Sequence, residues 1–445
     1  MEIPPPGPGG RGAAGGDEGQ ERDEETLEKC ERLLASEPNS ARLHAERGTA
    51  LLRLGRHEEA LAACGRAIGL DPAMSAPVEC RGDTLYVLGR HEEALADFRR
   101  AADLSDGDPV PHNNIASALI RLGRHEAALE ACDRAISIDR GYIMAHKTRA
   151  VALQLLERHE AALEACAVAL SINPTDAGAH RTKCALLQLL GRHAEAVPAL
   201  GRLLELEPGD AASHFNLGAS LLELRRYAEA AEAFAESSRL NPGDTTAIMN
   251  QAGALGNIGR HDEAKPLFER ILQKNPGDAH AHYGLGAISL AKGDHAGALR
   301  SLDSALAANP TYAEAHLSRA YALNALQRPE EALEACRLAA SHGTPSSEPH
   351  RLRGVSLLLL RRYDDALAAF EDAARVDPRN PAPLNSMGTA LIALRRYNEA
   401  VDAFDRALRA SPHDAAAARG RAYAIAQLRS SAGSRHWRCC ITRHE

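Results

Sequence analysis

Aromatic residues are scarce in this chain. They make up 4% of 445 residues, with a single Trp, Trp437. A β-sandwich fills its pleated faces with aromatic and β-branched side chains, so the shortage argues against one. Runs of basic residues are missing too. Asp and Glu outnumber Lys and Arg by 60 to 52, the net charge is −8, and no basic stripe interleaves with aromatics. That balance speaks against nucleic acid as a partner. Long apolar runs are also absent: Val355 to Leu360 stops at Arg361, far short of the roughly 18 residues that span a bilayer. The opening MEIPPPGPGG has no charged region followed by an apolar one, so no secretory signal is expected. The expectation is a soluble, cytoplasmic, monomeric chain with no membrane partner.

Catalytic signatures are lacking as well. The chain contains no P-loop, no G-x-S-x-G and no H-E-x-x-H, and it is expected to be no enzyme and to carry no cofactor. Acidic pairs such as Glu58–Glu59 lack the buried, concave setting that general acid–base chemistry needs.

What the chain does have is a period. Prolines stand at Pro38, Pro72, Pro174, Pro208, Pro242, Pro276, Pro310, Pro378 and Pro412, always separated by multiples of 34, and the vacant slots fall at Asp106, Arg140 and Thr344. Alanine holds the same period without a gap from Ala60 to Ala400. A small residue recurs at Gly48, Gly82, Ala116, Ala150, Cys184, Gly218, Ala252, Gly286, Ala320, Gly354, Gly388 and Ala422, with leucine three residues on in Leu51, Leu85, Leu119, Leu221 and Leu357.

Each period reads as a helix pair. The small residue marks a close helix crossing, where a larger side chain would hold the backbones apart. The first helix ends near Gly55, Gly89, Gly123, Gly191, Gly259 or Gly293, the residue type favoured just past a C-terminus. Acids such as Glu58 and Glu59 suit the N-terminal dipole of the second helix, and the proline stops it. Pro198 and Pro266 lie inside second helices and are expected to kink them.

A 34-residue unit reading W-x2-L-G-x2-Y, then A-x3-F, then P is the tetratricopeptide signature. Residues 41–414 resemble that family throughout, as in GTALLRLGRHEEALAACGRAIGLDP (48–72) and GASLLELRRYAEAAEAFAESSRLNP (218–242). His usually replaces the Trp, and Arg47, Arg81, Arg149, Arg319 and Arg353 take the Leu slot. The resemblance implies an all-α solenoid, a right-handed superhelix of stacked antiparallel helix pairs. Its expected organisation is a disordered segment 1–23, a capping helix 24–38, eleven repeats over 41–414, a capping helix 415–429 and a disordered tail 430–445.

Twenty histidines could suggest metal chemistry. Eight fill the Trp slot (His44, His112, His146, His180, His214, His282, His316, His350) and seven open second helices (His57, His91, His125, His159, His193, His261, His295). Equivalent residues of adjacent units stand about 8–10 Å apart or more, too far to share an ion whose ligands sit about 2 Å away. Cys30, Cys64, Cys132, Cys166 and Cys336 occupy the Phe slot as small core residues, with no disulfide framework. His436, Cys439, Cys440 and His444 of the tail match no zinc spacing. No metal site is expected.

In the resembled family the first helices line a concave groove that holds extended peptides or helices, and the residue after the Trp slot points into it. Here that row reads Lys147, Arg181, Phe215, Met249, Tyr283 and Leu317, with Asn216 and Asn250 following in two units. The resemblance thus implies a peptide-binding groove over residues 147–321, basic at one end and apolar along the rest. Asparagine carries a donor and an acceptor for a peptide backbone. The same residues would also serve as partly buried spacers. Lys147 lacks an Asn one turn on, where Val151 stands, so the carboxylate clamp of chaperone adaptors is incomplete. The expected function is a non-catalytic scaffold or adaptor binding protein or peptide partners. The alternative is the substrate-recognition arm of an O-linked N-acetylglucosamine transferase-like enzyme, whose catalytic domain would have to lie outside this chain.

Overall fold

A computed structural model describes the backbone of residues 17–343 and 346–441, and the side chains of 19–343 and 346–429. Among the described residues it holds twenty-four α-helices and no strand. The fold is an all-α solenoid of consecutive helix pairs that divides into two compact units at Arg226/Tyr227.

The first unit contains α1 (Asp17–Ser36), α2 (Ala41–Arg53), α3 (His57–Leu70), α4 (Ser75–Val87), α5 (His91–Leu104), α6 (Pro109–Arg121), α7 (His125–Ile138), α8 (Ile143–Leu155), α9 (His159–Ile172), α10 (Ala177–Leu189), α11 (His193–Leu206) and α12 (Ala211–Glu223). The second contains α13 (Tyr227–Leu240), α14 (Thr245–Asn257), α15 (His261–Lys274), α16 (Ala279–Ala291), α17 (His295–Ala308), α18 (Ala313–Ala325), α19 (Pro329–Ser341), α20 (Glu348–Leu359), α21 (Tyr363–Val376), α22 (Pro381–Ala393), α23 (Tyr397–Ala410) and α24 (Ala415–Ile441). Even-numbered helices from α2 are the first helices of the period, and odd-numbered ones from α3 are the second.

Side-chain caps explain where first helices begin. Ser40, Asp108, Asp176, Asp210, Asp244, Asp278 and Asn380 each accept a hydrogen bond from a backbone N–H of the first turn, which satisfies a donor the helix cannot. The ends follow a Schellman pattern: Arg56 N–H reaches Leu51 C=O at 2.8 Å across Gly55, whose φ is +73°, a conformation open to glycine. All six glycines expected to end first helices have positive φ. The other five slots adopt it without glycine, at Glu157, Arg225, Gln327, Arg361 and Arg395.

The small-residue slot is filled as its neighbour demands. A Cβ on Gly82 would stand 2.7 Å from the Phe98 ring, and one on Gly354 2.5 Å from Phe370. Where the slot holds Ala116, Ala150 or Ala320, the Phe slot sixteen residues on holds Cys132, Cys166 or Cys336. In these repeats volume is traded across the crossing to keep close packing, though Gly48 with Cys64 and Ala252 with Phe268 do not follow the trade. The first unit's main core runs from Leu85 to Leu186 through Phe98, Leu119 and Leu153. In the second, Phe370 and Phe404 anchor a cluster with Leu357 and Leu391.

Both flanking helices extend beyond the capping segments expected at 24–38 and 415–429. Helix α1 begins at Asp17 because residues 17–23 are mostly helix formers with acids in the opening turn. Helix α24 runs on to Ile441 with no proline to stop it. Helices α11 and α15 continue through Pro198 and Pro266. In both, the third N–H bonds back three residues as well as the fourth bonding back four, from Glu195 and Ala196 to Arg192 and from Glu263 and Ala264 to Arg260. This tightens the turn ahead of the proline.

Candidate binding face of the first helices

Within the first unit α2 touches α4, α6 touches α8 and α8 touches α10, while consecutive second helices make no comparable approach. In these three pairs first helices stand closer together than second helices do, which puts the first helices on the inner face of that unit. On each of them residues spaced by four share a face, so Glu79, Asp83 and Val87 on α4 correspond to Asn113, Ser117 and Arg121 on α6. The next sets are Lys147, Val151 and Leu155 on α8, then Arg181, Ala185 and Leu189 on α10.

The row expected to bind peptide is divided between the units, and its positive charges are already matched. Lys147 is half-buried and donates to Asp176 at 3.0 Å. Arg181 is exposed, bonds Glu207, and lies 3.9 Å from Asp210. Asp176 and Asp210 are the N-caps of the next first helices, so the residue after the Trp slot reaches the following cap. Phe215 and Asn216 are half-buried on α12, and the Asn216 carbonyl accepts from Gln188 Nε2 at 2.9 Å. In the second unit Met249 and Asn250 are half-buried on α14. Tyr283 packs on Tyr312 with centroids 5.0 Å apart, against a core of Leu302 and Ala315. Leu317 packs on Leu299, Leu323 and Leu352.

The same row starts two repeats earlier than Lys147, and there the sequence reading missed a polar centre. Asp83 is 8% exposed and accepts from Asn114 Nδ2 at 3.4 Å. Asn113 Oδ1 accepts from the Thr148 hydroxyl at 2.8 Å. Burial, with Asp108 nearby, pushes the Glu79 carboxyl up to about 7. Burial, with Cys80 and Glu79 beside it, raises Asp83 well above the usual carboxylate range. Burial and the acids Asp108, Glu79 and Asp83 push the Tyr142 phenol to about 12. The Tyr142 hydroxyl and the Ser117 hydroxyl are buried and without a hydrogen-bond partner. Arg121, the sole cation of α6, donates instead to the Tyr86 hydroxyl at 3.1 Å. The signal was available in the period itself: Glu79 and Asn113 precede Lys147 by whole repeats.

The remaining chemistry-bearing residues serve the framework. In six repeats the Trp-slot histidine bonds through Nε2 to the carbonyl six residues back, as His180 to Pro174 at 3.0 Å and His316 to Pro310 at 2.9 Å. The ring donates there, which ties the helix start to the preceding turn. Arg in the Leu slot reaches an acid on a neighbouring second helix: Arg81 to Asp97 at 2.6 Å, Arg149 to Asp133 at 3.0 Å and Arg319 to Asp303 at 2.7 Å. Cys30, Cys64, Cys80, Cys132, Cys166, Cys184 and Cys336 are buried free thiols. Burial pushes Cys166 and Cys336 up to about 12. Among the described residues no three His, Cys, Asp or Glu gather to hold a metal, and no helix is long and apolar enough to cross a membrane. The tail cluster His436, Cys439, Cys440 and His444 lies outside the residues whose side chains are described.

Two family models, both described as tetratricopeptide repeat, match the sequence. One covers residues 27–75, 81–143, 187–245 and 249–311, and the other 289–354 and 357–423. No curated protein matches. Among solved structures, the chain is similar to that of the APC/C hetero-tetramer Cut9–Hcn1, at 14% identity and a TM-score of 0.48, over 91% of this chain and 94% of that one. It is similar to yeast Tom70 at 13% identity and a TM-score of 0.35, over 80% and 96%. A thermophilic TPR protein of Thermus thermophilus is 26% identical with a TM-score of 0.36, over 41% of this chain and 99% of that one.

Proposed function

The chain belongs to the tetratricopeptide-repeat family, a protein-interaction scaffold in general, and from that premise we propose a non-catalytic adaptor that holds extended protein segments on its first-helix faces. The observation that carries this reading is a row of exposed apolar side chains at one repeated slot of those faces. Val87, Leu155 and Leu189 of the first unit are 56%, 40% and 59% exposed at one shared slot, and Tyr321 and Leu359 of the second are 49% and 37% exposed. Side chains of this size at solvent invite cover by a partner. Phe215, Asn216, Lys147 and Arg181 in the first unit, and Met249, Asn250, Tyr283 and Leu317 in the second, would contribute the remaining contacts. Lys147 and Arg181 would act there as ion-paired walls rather than free cations.

The test is selection from a random peptide library on the full chain, repeated with Leu155→Asp/Leu189→Asp and with Arg99→Glu, an exposed second-helix control. The expected result is at least a tenfold loss of binding in the first variant and none in the control. Selected peptides that ignore the double variant but are lost with Arg99→Glu would move binding to the second helices and overturn the reading.

A further inference from the structure

The inner face of the first unit holds two carboxyl groups that the chain leaves without a counter-charge. Many of its other acids are ion-paired, among them Asp97 with Arg81, Asp176 with Lys147 and Glu160 with Arg192. Glu79 and Asp83 lie one turn apart on α4, and among the described residues neither has an ion pair. Asp83 has one long hydrogen bond, from Asn114 at 3.4 Å, although it is only 8% exposed. Burying a carboxylate this way is costly unless a cation or several donors compensate it. The surrounding groups do not. Asp108 adds another acid, Arg121 is turned to Tyr86, and the Tyr142 hydroxyl, set among Glu79, Asp83 and Asp108, has no partner. A second orphan stands on α6: Ser117, fully buried at the slot equivalent to Asp83, leaves its hydroxyl unpaired. The two carboxyl groups and the Tyr142 hydroxyl together describe a receptor for a group rich in N–H donors.

Resting on the adaptor reading above, we propose that Glu79, Asp83, Asp108 and Tyr142 form a receptor for a lysine or arginine side chain of a bound protein segment, whose apolar neighbours lie on Val87, Leu155 and Leu189. A cationic head would satisfy both carboxylates and the lone pairs of the Tyr142 hydroxyl. The apolar side chains lie along the same faces of α4, α8 and α10. A bound metal ion is a poorer fit: no three His, Cys, Asp or Glu among the described residues, Glu79, Asp83 and Asp108 included, stand close enough to hold one ion, whereas an ammonium or guanidinium head reaches acceptors set farther apart. The polarity is opposite to a clamp for carboxylates: the cations of this face, Lys147 and Arg181, are paired within the chain.

The experiment uses the full chain and a random peptide library, followed by matched peptides whose central residue is Lys, Gln or Glu in the best selected context. Glu79→Gln/Asp83→Asn is compared with wild type and with Leu155→Asp/Leu189→Asp. The two amide substitutions keep shape, and circular dichroism checks that the helices persist. The expected result is enrichment of Lys or Arg, a tenfold or greater preference for the Lys peptide over the Glu peptide, and loss of that preference in the amide variant. Binding without cation preference, unchanged in the amide variant but lost in the Leu variant, would overturn the receptor and keep the adaptor. Binding unaffected by both variants, or no selection at all, would overturn both.

Discussion

Single residues carry the sharpest consequences of this structure. Glu79 has a folded-state pKa raised to about 7 by burial, facing Asp83 on α4, Asp108 ahead of α6 and Tyr142 ahead of α8. The folded chain therefore holds a proton that the unfolded chain releases at ordinary carboxylate pH. Its contribution to stability is fully present below about 4.3 and is lost as pH rises toward about 7. Glu79→Gln should leave the melting temperature nearly unchanged at the acid end and raise it progressively above wild type up to about pH 7, with a plateau beyond. Thermal melts of both proteins across that range check the sign, and a variant less stable than wild type at pH 8 contradicts it. The helix crossing gives a second case. Gly82→Ala would drive a Cβ to 2.7 Å from the Phe98 ring and should cost about 1–3 kcal/mol. Phe98→Cys alone opens a cavity and should cost about 3–5 kcal/mol, as large-to-small changes at a buried Phe do. The double variant copies the Ala116/Cys132 pairing of the next repeat, so its cost should fall short of the sum by about 1 kcal/mol or more. Urea titrations of the four proteins close the cycle.

At the scale of the element, the helix ends separate what could be read from what could not. Gly55, Gly89, Gly123, Gly191, Gly259 and Gly293 announce the left-handed turn because glycine enters it without strain. Glu157, Arg225, Gln327, Arg361 and Arg395 make the same turn at φ of 57–59°, and nothing in their chemistry announces it; only the period does. Such residues bear about 1–2 kcal/mol of strain in that conformation. Part of it offsets the extra freedom a glycine would have in the unfolded chain. Glu157→Gly should accordingly stabilise the protein by about 0.5–1 kcal/mol. The same change at Glu164, inside α9, should destabilise it by about 1 kcal/mol. Equilibrium unfolding of the pair tests whether conformation, rather than composition, decides the sign. Binding residues were less legible than helix ends for a related reason. A row position fixes which face a side chain shares, but its partners depend on the next repeat. Lys147 and Arg181 look like free cations until Asp176, Glu207 and Asp210 are brought under them. Glu79 looks like one acid among many until burial singles it out.

At the scale of the whole molecule, each helix within a unit packs on the helices next to it in sequence, and several first helices also touch the next first helix, so stability is a chain of neighbour terms rather than one shared core. The unbroken period gave no sign of the division at Arg226/Tyr227. Spacing repeats faithfully across it, and compactness depends on packing that spacing does not encode. A lesion should therefore stay local within a unit. Leu51 is fully buried on α2, in a cluster with Leu27, Ala60 and Ala63, and Leu51→Ala should cost about 2–5 kcal/mol. In a globular domain with one cooperative transition that loss would appear at every protected amide. Here amide hydrogen exchange followed by mass spectrometry should speed up through α1 to α4 and stay at the wild-type rate in α8 to α11, which share no contact with the cavity. The binding receptor on α4 adds a functional reading of the same experiment. Because Glu79 and Asp83 stand within the softened stretch while Leu155 and Leu189 do not, Leu51→Ala should weaken recognition of a cationic peptide more than contacts farther along the face. Uniform acceleration from residue 41 to 206 would instead mean that the first unit unfolds as one body and that its repeats are not energetically separable.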